Sequence, residues 1–235
     1  MAVALITGAS RGLGRALGEA LAEEGWSLVI DARDPDALGS AAEVMRSRAV
    51  GGASVTAIAG DVTDPDHRSA LVEAVTRLGS LDLLVNNAST LGVSPLALLE
   101  NYPLDELRRV FEVNVIAPLA LVQASLPALR RSANPLVLDV TSDASVEHYE
   151  AWGGYGSSKA ALDHLTATLA AENPSVRFLA VDPGDMRTVM HQDAFPGEDI
   201  SDRPSPESVV PSLSVLVDGD HESGRYRLSE VGALR

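Results

Sequence analysis

Tyr155 and Lys159 stand four residues apart in Tyr155-Gly156-Ser157-Ser158-Lys159, and Lys159 is the only lysine among 18 Lys and Arg residues. A chain that writes arginine at every other basic position keeps one compact ammonium on a flexible stem, where a guanidinium would not serve. Residues i and i+4 share a helix face, so the ammonium can approach the phenol. An unperturbed phenol has a pKa of about 10, too high for a good base near neutrality. A neighbouring positive charge favours the phenolate and lowers that value. Ser142 precedes Tyr155 by thirteen residues and offers a hydroxyl that can bond a substrate oxygen and stabilise charge developing there. The three groups together suit proton exchange at a substrate oxygen.

A second group of residues suits a diphosphate. Gly8-Ala9-Ser10-Arg11-Gly12-Leu13-Gly14 follows an apolar run and opens a helical pattern. Glycines there permit a tight turn and let phosphates approach N–H groups at the positive end of a helix. The spacing Gly-x-x-x-Gly-x-Gly is one residue longer than the usual dinucleotide fingerprint. The second apolar run ends Ile30-Asp31-Ala32-Arg33. An acid at this point accepts from a ribose 2′-hydroxyl, whereas an arginine accommodates a 2′-phosphate. Asp31 and Arg33 compete for that role, sharing a face if the strand persists. Arg33 is nearer the carboxyl edge and Arg11 can approach the same phosphate, which favours NADP(H) while still admitting NAD(H). The competing reading makes Arg33 a solvated residue paired with Asp31, Asp34 or Asp36. Asp61 and Val62 follow the third run and suit an adenine contact; an acidic helix cap at Thr63 or Asp64 fits the same segment equally well.

The elements that must position these groups alternate along the chain. Strand candidates are Val3–Thr7, Ser27–Asp31, Ser54–Ala59, Leu81–Asn86, Leu136–Thr141, Val176–Val181 and Arg225–Leu228. Helical patterns cover about 12–24, 35–49, 65–78, 104–130, 156–172 and 206–217. Continuous apolar strands separated by helices imply a parallel sheet covered on both faces. Right-handed crossovers make it doubly wound. The expected fold is therefore a single α/β domain over 1–235, a Rossmann-type sheet of about seven strands. Ser142 then lies at the carboxyl edge, where ligands of such sheets bind. Residues 185–206, with Pro196, Gly197, Pro204 and Pro206, carry no sustained period and read as a surface loop or lid.

Composition narrows the partners. The net charge of −15 argues against nucleic acid or an anionic membrane surface. It would also repel an anionic cofactor, so a phosphate site needs local arginines or helix-terminal amides. With no cysteine, disulfides, thiolate metal sites and a cysteine nucleophile are excluded. His148 and His191 have no ligand cluster of suitable spacing around them, and no metal is expected. The N-terminal apolar run lacks a basic n-region and is too short for a signal peptide or span; it reads as a buried strand, and the protein as cytoplasmic.

At this point the motifs as a set, Thr7-Gly8-Ala9-Ser10-Arg11-Gly12-Leu13-Gly14, Asn86-Asn87-Ala88, Asn114, Ser142, Tyr155-x-x-x-Lys159 and Pro183-Gly184, resemble the short-chain dehydrogenases/reductases, in the shorter single-domain branch. The resemblance spans nearly the whole chain. It implies a nicotinamide cofactor and a small carbonyl or alcohol substrate. Tyr155 would donate the proton in reduction while hydride arrives at the carbonyl carbon, and would act as base in oxidation. The resemblance adds that Lys159 grips the nicotinamide ribose, that Asn114 holds a water in a proton relay behind it, and that Asn87, Ala88, Pro183, Gly184, Met186 and Thr188 lie beside the cofactor. It further implies a homodimer or homotetramer. The alternative function is a dinucleotide sensor on the same fold without turnover; the retained Tyr, Lys and Ser speak against it.

Several positions depart from the family pattern. Ser89 stands where glycine is usual, the helix after Lys159 ends early at Asn173-Pro174, and the last strand carries Arg225 and Arg227 where apolar residues are common. Substrate contacts are expected from His148, Tyr149 and Trp152, and from Arg187, Met190, His191 and Phe195 in the later loop.

Overall fold

A computed structural model describes residues 1–231; the last four residues of the expected 1–235 domain lie outside the described residues. Seven strands form one parallel sheet: β1 Val3–Ile6, β2 Ser27–Ala32, β3 Val55–Ala59, β4 Leu83–Asn86, β5 Leu136–Val140, β6 Arg177–Asp182 and β7 Gly224–Arg227. Their order is β3-β2-β1-β4-β5-β6-β7. The chain reverses its direction of winding between β1 and β4, which opens a crevice at the carboxyl ends of these two strands.

The helices are α1 Gly12–Glu23, α2 Pro35–Arg48, α3 Pro65–Leu78, α4 Leu104–Phe111, α5 Ala117–Leu129, α6 Gly153–Glu172, α7 Val189–Ala194, α8 Val210–Asp218 and α9 Leu228–Val231. Alternation along each strand sends side chains to opposite faces. Ala4, Ile6, Leu28 and Ile30 pack with Leu17, Met45 and Leu213 on one face. Val3, Leu5 and Val29 pack with Leu71, Leu121 and Phe178 on the other. Uninterrupted apolar strands thus feed two cores at once.

Three expectations are corrected in detail, and one pair of alternatives is decided. The long 104–130 helix is broken by a π-helical segment, Glu112–Ile116, between α4 and α5; such bulges concentrate at functional sites. The 185–206 segment is not wholly irregular, because Thr188 caps α7 by accepting the His191 N–H at 3.2 Å. The last strand stops at Arg227, and Leu228 begins α9. The cap of α3 is Asp64, which accepts the Asp66 N–H at 2.9 Å. By length and composition Leu104–Leu129 could cross a bilayer, but Leu121, Val122, Ala128 and Leu129 of this stretch are buried against the sheet.

Candidate active site

One cavity of about 1410 Å³ runs along the carboxyl ends of the strands, from Arg33 and Asp61 to Trp152 and Phe195. Pockets for a drug-sized ligand span about 300–1,000 Å³, so this one has room for a dinucleotide and a substrate. Of the expected cofactor residues, Gly8, Ser10, Arg11, Gly12, Leu13, Arg33, Asp61, Val62, Asn87, Ala88, Tyr155, Lys159, Pro183, Gly184, Met186 and Thr188 line it.

The phosphate end fits an anion. Gly8 and Gly12 adopt φ of +67° and +58°, which L side chains resist. A Cβ on Gly8 would lie 3.0 Å from the Ala88 Cα. Arg11 is the N-cap of α1 but makes no side-chain cap bond, so first-turn N–H groups remain for an acceptor. Gly14 corrects its expectation: it is absent from the cavity wall, and a Cβ there would sit 2.5 Å from the Asn87 Nδ2. It permits close packing instead. That Asn87 amide donates to the carbonyls of Thr7 at 2.8 Å and Gly8 at 3.1 Å.

Asp31 lines the cavity beside Arg33, but both its carboxylate oxygens are engaged within the protein. Fully buried, its Oδ1 accepts the Gly8 N–H at 2.8 Å, and its Oδ2 lies 2.9 Å from His67 Nε2. β2 ends at Ala32, so Arg33 lies beyond the strand and the two side chains no longer share one strand face. Arg33 is exposed on the cavity and makes no salt bridge to Asp31, Asp34 or Asp36 among the described residues. For Asp61, partial burial raises the carboxyl, but the N–H and hydroxyl of Thr63 and the Arg33 charge outweigh it and leave the group below its ordinary range.

At the other end Ser142, Tyr155 and Lys159 line the same cavity. Lys159 Nζ donates to the Val140 carbonyl at 2.8 Å and lies 5.6 Å from the Tyr155 ring centroid. Burial lowers its pKa to about 8 despite the opposing pull of Asp139 and Asp163. Tyr155 departs from the expected lowering. Burial drives it well above the ordinary phenol value, the Ser142 and Ser89 hydroxyls pull it down, and Asp182 and Asp143 push it up again. Lys159 is held by a backbone carbonyl, and burial is the largest influence on the phenol.

Ser142 lies two residues past the end of β5 and caps a 3-10 turn: its Oγ donates to Asp143 Oδ1 at 2.9 Å and accepts the Ala144 N–H at 3.2 Å. Asn114 sits in the π segment and does not line the cavity. Its Oδ1 accepts from the Thr90 N–H at 2.9 Å and the Ser89 hydroxyl at 3.1 Å. Its Nδ2 donates to the Thr90 carbonyl at 2.9 Å and Ser158 Oγ at 3.0 Å. The side chain ties the loop after β4 to α6.

Beyond the phenol, Leu91, Ala144, Tyr155 and Ala194 form an apolar cluster with Leu96, Trp152, Met190 and Phe195. Trp152 meets Tyr155 edge-on and lies 5.9 Å from Phe195 between ring centroids. Arg187 and His191 also line the cavity. His148, expected near substrate, is exposed and off the wall. Sequence reasoning missed the Asp31–His67 pair and the Leu91 contribution. Nothing in residue spacing signals either, because each arises from strands and helices distant in sequence.

A site of this kind, a glycine-lined anion cradle joined to a buried Tyr–Lys–Ser set on a doubly wound sheet, defines a nicotinamide-dependent oxidoreductase. Residues 2–199 match the short chain dehydrogenase family model, and the chain belongs to that family. It is 37% identical over 202 residues to sepiapterin reductase of Meriones unguiculatus, covering 81% of this chain and 76% of that one. It is 36% identical over 201 residues to a benzil reductase ((S)-benzoin forming) of Saccharomyces cerevisiae, covering 81% and 74%. Among solved structures, an alcohol dehydrogenase of Thermococcus sibiricus complexed with 5-hydroxy-NADP superposes with a TM-score of 0.85 at 31% identity, covering 97% of this chain and 95% of that one. The relatives are named as reductases and dehydrogenases, so the chain is an enzyme, and the sensor alternative finds no support.

Proposed function

We propose that this enzyme is an NADPH-preferring reductase of neutral, largely apolar carbonyl compounds. The observation that carries the reading is one cavity with Arg11 and Arg33 at one end and Ser142, Tyr155 and Lys159 at the other. Asp31 lines the cavity with both carboxylate oxygens already engaged by Gly8 and His67, which leaves the arginines to meet a 2′-phosphate. The match to an alcohol dehydrogenase complexed with 5-hydroxy-NADP supports the same preference.

The bound cofactor supplies hydride to the carbonyl carbon. Tyr155 gives its proton to the carbonyl oxygen, so bond making at carbon and oxygen balances. The phenol is protonated at neutrality, as a donor must be, but burial makes it a weaker acid, so its proton transfer depends on charge supplied beside it. Ser142 must turn its hydroxyl from Asp143 toward the substrate oxygen to stabilise the charge there. Lys159 places a positive charge behind the phenol as its proton leaves. Trp152, Met190 and Phe195 favour an apolar or aryl substituent, while Asp143 and Asp185 on the wall disfavour an anionic one. A homodimer or homotetramer belongs to the same reading, supported by the exposure of Leu99, Leu104 and Ile116.

The test is NADPH and NADH oxidation across a panel of aryl, alkyl and carboxylated ketones. Turnover of neutral aryl or alkyl ketones with NADPH is expected. Preference for NADH, or for the carboxylated substrates, would overturn the assignment.

A further inference from the structure

Arginine on a sheet strand requires a reason, since its charge must be paired wherever it is taken from water. Besides a longer contact of 3.5 Å from Nη2 to Ser145 Oγ, Arg225 on β7 has three close acceptors. Its Nη2 donates to the Ser142 carbonyl at 3.0 Å and to Asp182 Oδ2 at 3.2 Å, and its Nε to Asp163 Oδ2 at 3.1 Å. The Arg225 side chain is 24% exposed and that of Asp182 only 6%, so water screens these bonds little.

Each acceptor adjoins the reacting set. Ser142 is itself a member. Asp163 lies one turn beyond Lys159 on α6, and its Oδ2 also accepts from Ser145 Oγ at 2.6 Å. Its Oδ1 is buried without a partner among the described residues, so Arg225 and Ser145 alone restrain the carboxylate. Asp182 ends β6, and its Oδ1 accepts the Gly184 N–H at 3.0 Å, which shapes the Pro183-Gly184 wall. The three acceptors come from three separate elements. Only a planar fork with several fixed donors meets all of them; an ammonium on a flexible stem does not.

We propose that Arg225 is a positioning residue for the reaction. It fixes the backbone of Ser142, the carboxylate beyond Lys159 and the Gly184 turn relative to one another. The inference rests on Ser142, Tyr155 and Lys159 being the reacting set. Without the guanidinium, Asp163 loses its paired counter-charge, Asp182 keeps only Arg227, whose Nε is 3.7 Å away, and Asp163 is released on the lysine's own helix face.

Misplacing reacting groups by about 1 Å costs on the order of a hundredfold in rate. Arg225→Ala is therefore expected to lower kcat by about 10- to 100-fold while NADPH Kd, read by nucleotide fluorescence, holds within about threefold. That split marks an interaction realised in the transition state. Arg225→Lys, which keeps the charge without the fork, is expected to remain impaired. Millimolar guanidinium should restore part of the Arg225→Ala rate where equal sodium chloride does not. Wild-type kcat in Arg225→Ala overturns the proposal, as does a rate loss matched by the loss of NADPH-binding protein. Should the wild type turn over no carbonyl, the proposed function fails separately. Hydrogen exchange then decides this inference: faster exchange at 142–147 and 182–186 in Arg225→Lys supports it, and unchanged exchange overturns it.

Discussion

The carboxylate of Asp31 holds the backbone N–H of Gly8 at 2.8 Å, from a fully buried position at the end of β2. An acid that sequence position suggests for a ribose instead braces the phosphate turn, with His67 2.9 Å from its second oxygen. Removing it leaves a buried N–H and an imidazole without their acceptor, at about 1–3 kcal/mol each. Asp31→Ala is expected to weaken NADPH and NADH alike, by roughly tenfold (about 1.4 kcal/mol), and to lower the urea midpoint. Titration of both nucleotides checks this. Selective loss of NADH would return Asp31 to the ribose.

Arg33 is expected to separate the two cofactors. It faces the cavity beside Asp61 without a salt bridge among the described residues. A charge-assisted bond to phosphate contributes about 1.5–3 kcal/mol, so Arg33→Ala should weaken NADPH by about tenfold or more and leave NADH nearly unchanged. The NADPH Kd of the wild type should also rise with salt, as expected for an exposed ion contact. Equal effects on both nucleotides would count against the 2′-phosphate contact.

Tyr155→Phe keeps the ring against Trp152 and removes only the hydroxyl. Loss of a positioned proton donor lowers rate by about 10²–10⁴-fold. Near-wild-type NADPH binding with turnover reduced on that scale is expected in stopped-flow single-turnover runs. Substantial residual turnover would show that another group delivers the proton.

Lys159 makes the stability of the cofactor-free protein depend on pH in a defined direction. Burial lowers its pKa to about 8 in the folded chain, from an ordinary 10.5. The folded state therefore sheds this proton first, and between those values the unfolded chain binds one more. Stability rises with pH where the unfolded state binds more protons, so this group's unfavourable contribution is full below pH 8 and is relieved toward 10.5. Urea midpoints from pH 7 to 10 should rise in the wild type relative to Lys159→Met. Parallel curves for the two proteins would contradict the buried ammonium.

Strands such as β1 were legible because a continuous apolar run must serve two cores: Val3 and Leu5 on one face, Ala4 and Ile6 on the other. The glycine turn and the Tyr155–Lys159 pair were legible because both are local, set by a turn and by a single helix face. Asn114 was marked, but its four bonds to Ser89, Thr90 and Ser158 join segments far apart in sequence. The sequence favours Arg33 over Asp31 for the 2′-phosphate, but the burial of Asp31 depends on where β2 stops and on His67, brought in by α3. His148 was placed near substrate by proximity in sequence to Trp152, yet the turn before α6 carries it outward.

Residue order by itself determined the alternation of elements, the doubly wound sheet and the chemical types gathered at its carboxyl edge, since hydrophobic period and local spacing act over a few residues. Tertiary structure decided that Asp31 braces the backbone, and it buried the phenol, which pushes its pKa up rather than down. It also set Arg225 among Ser142, Asp163 and Asp182. These are properties of burial and of contacts between distant segments, and a desolvated charge takes its role from whatever the fold places beside it.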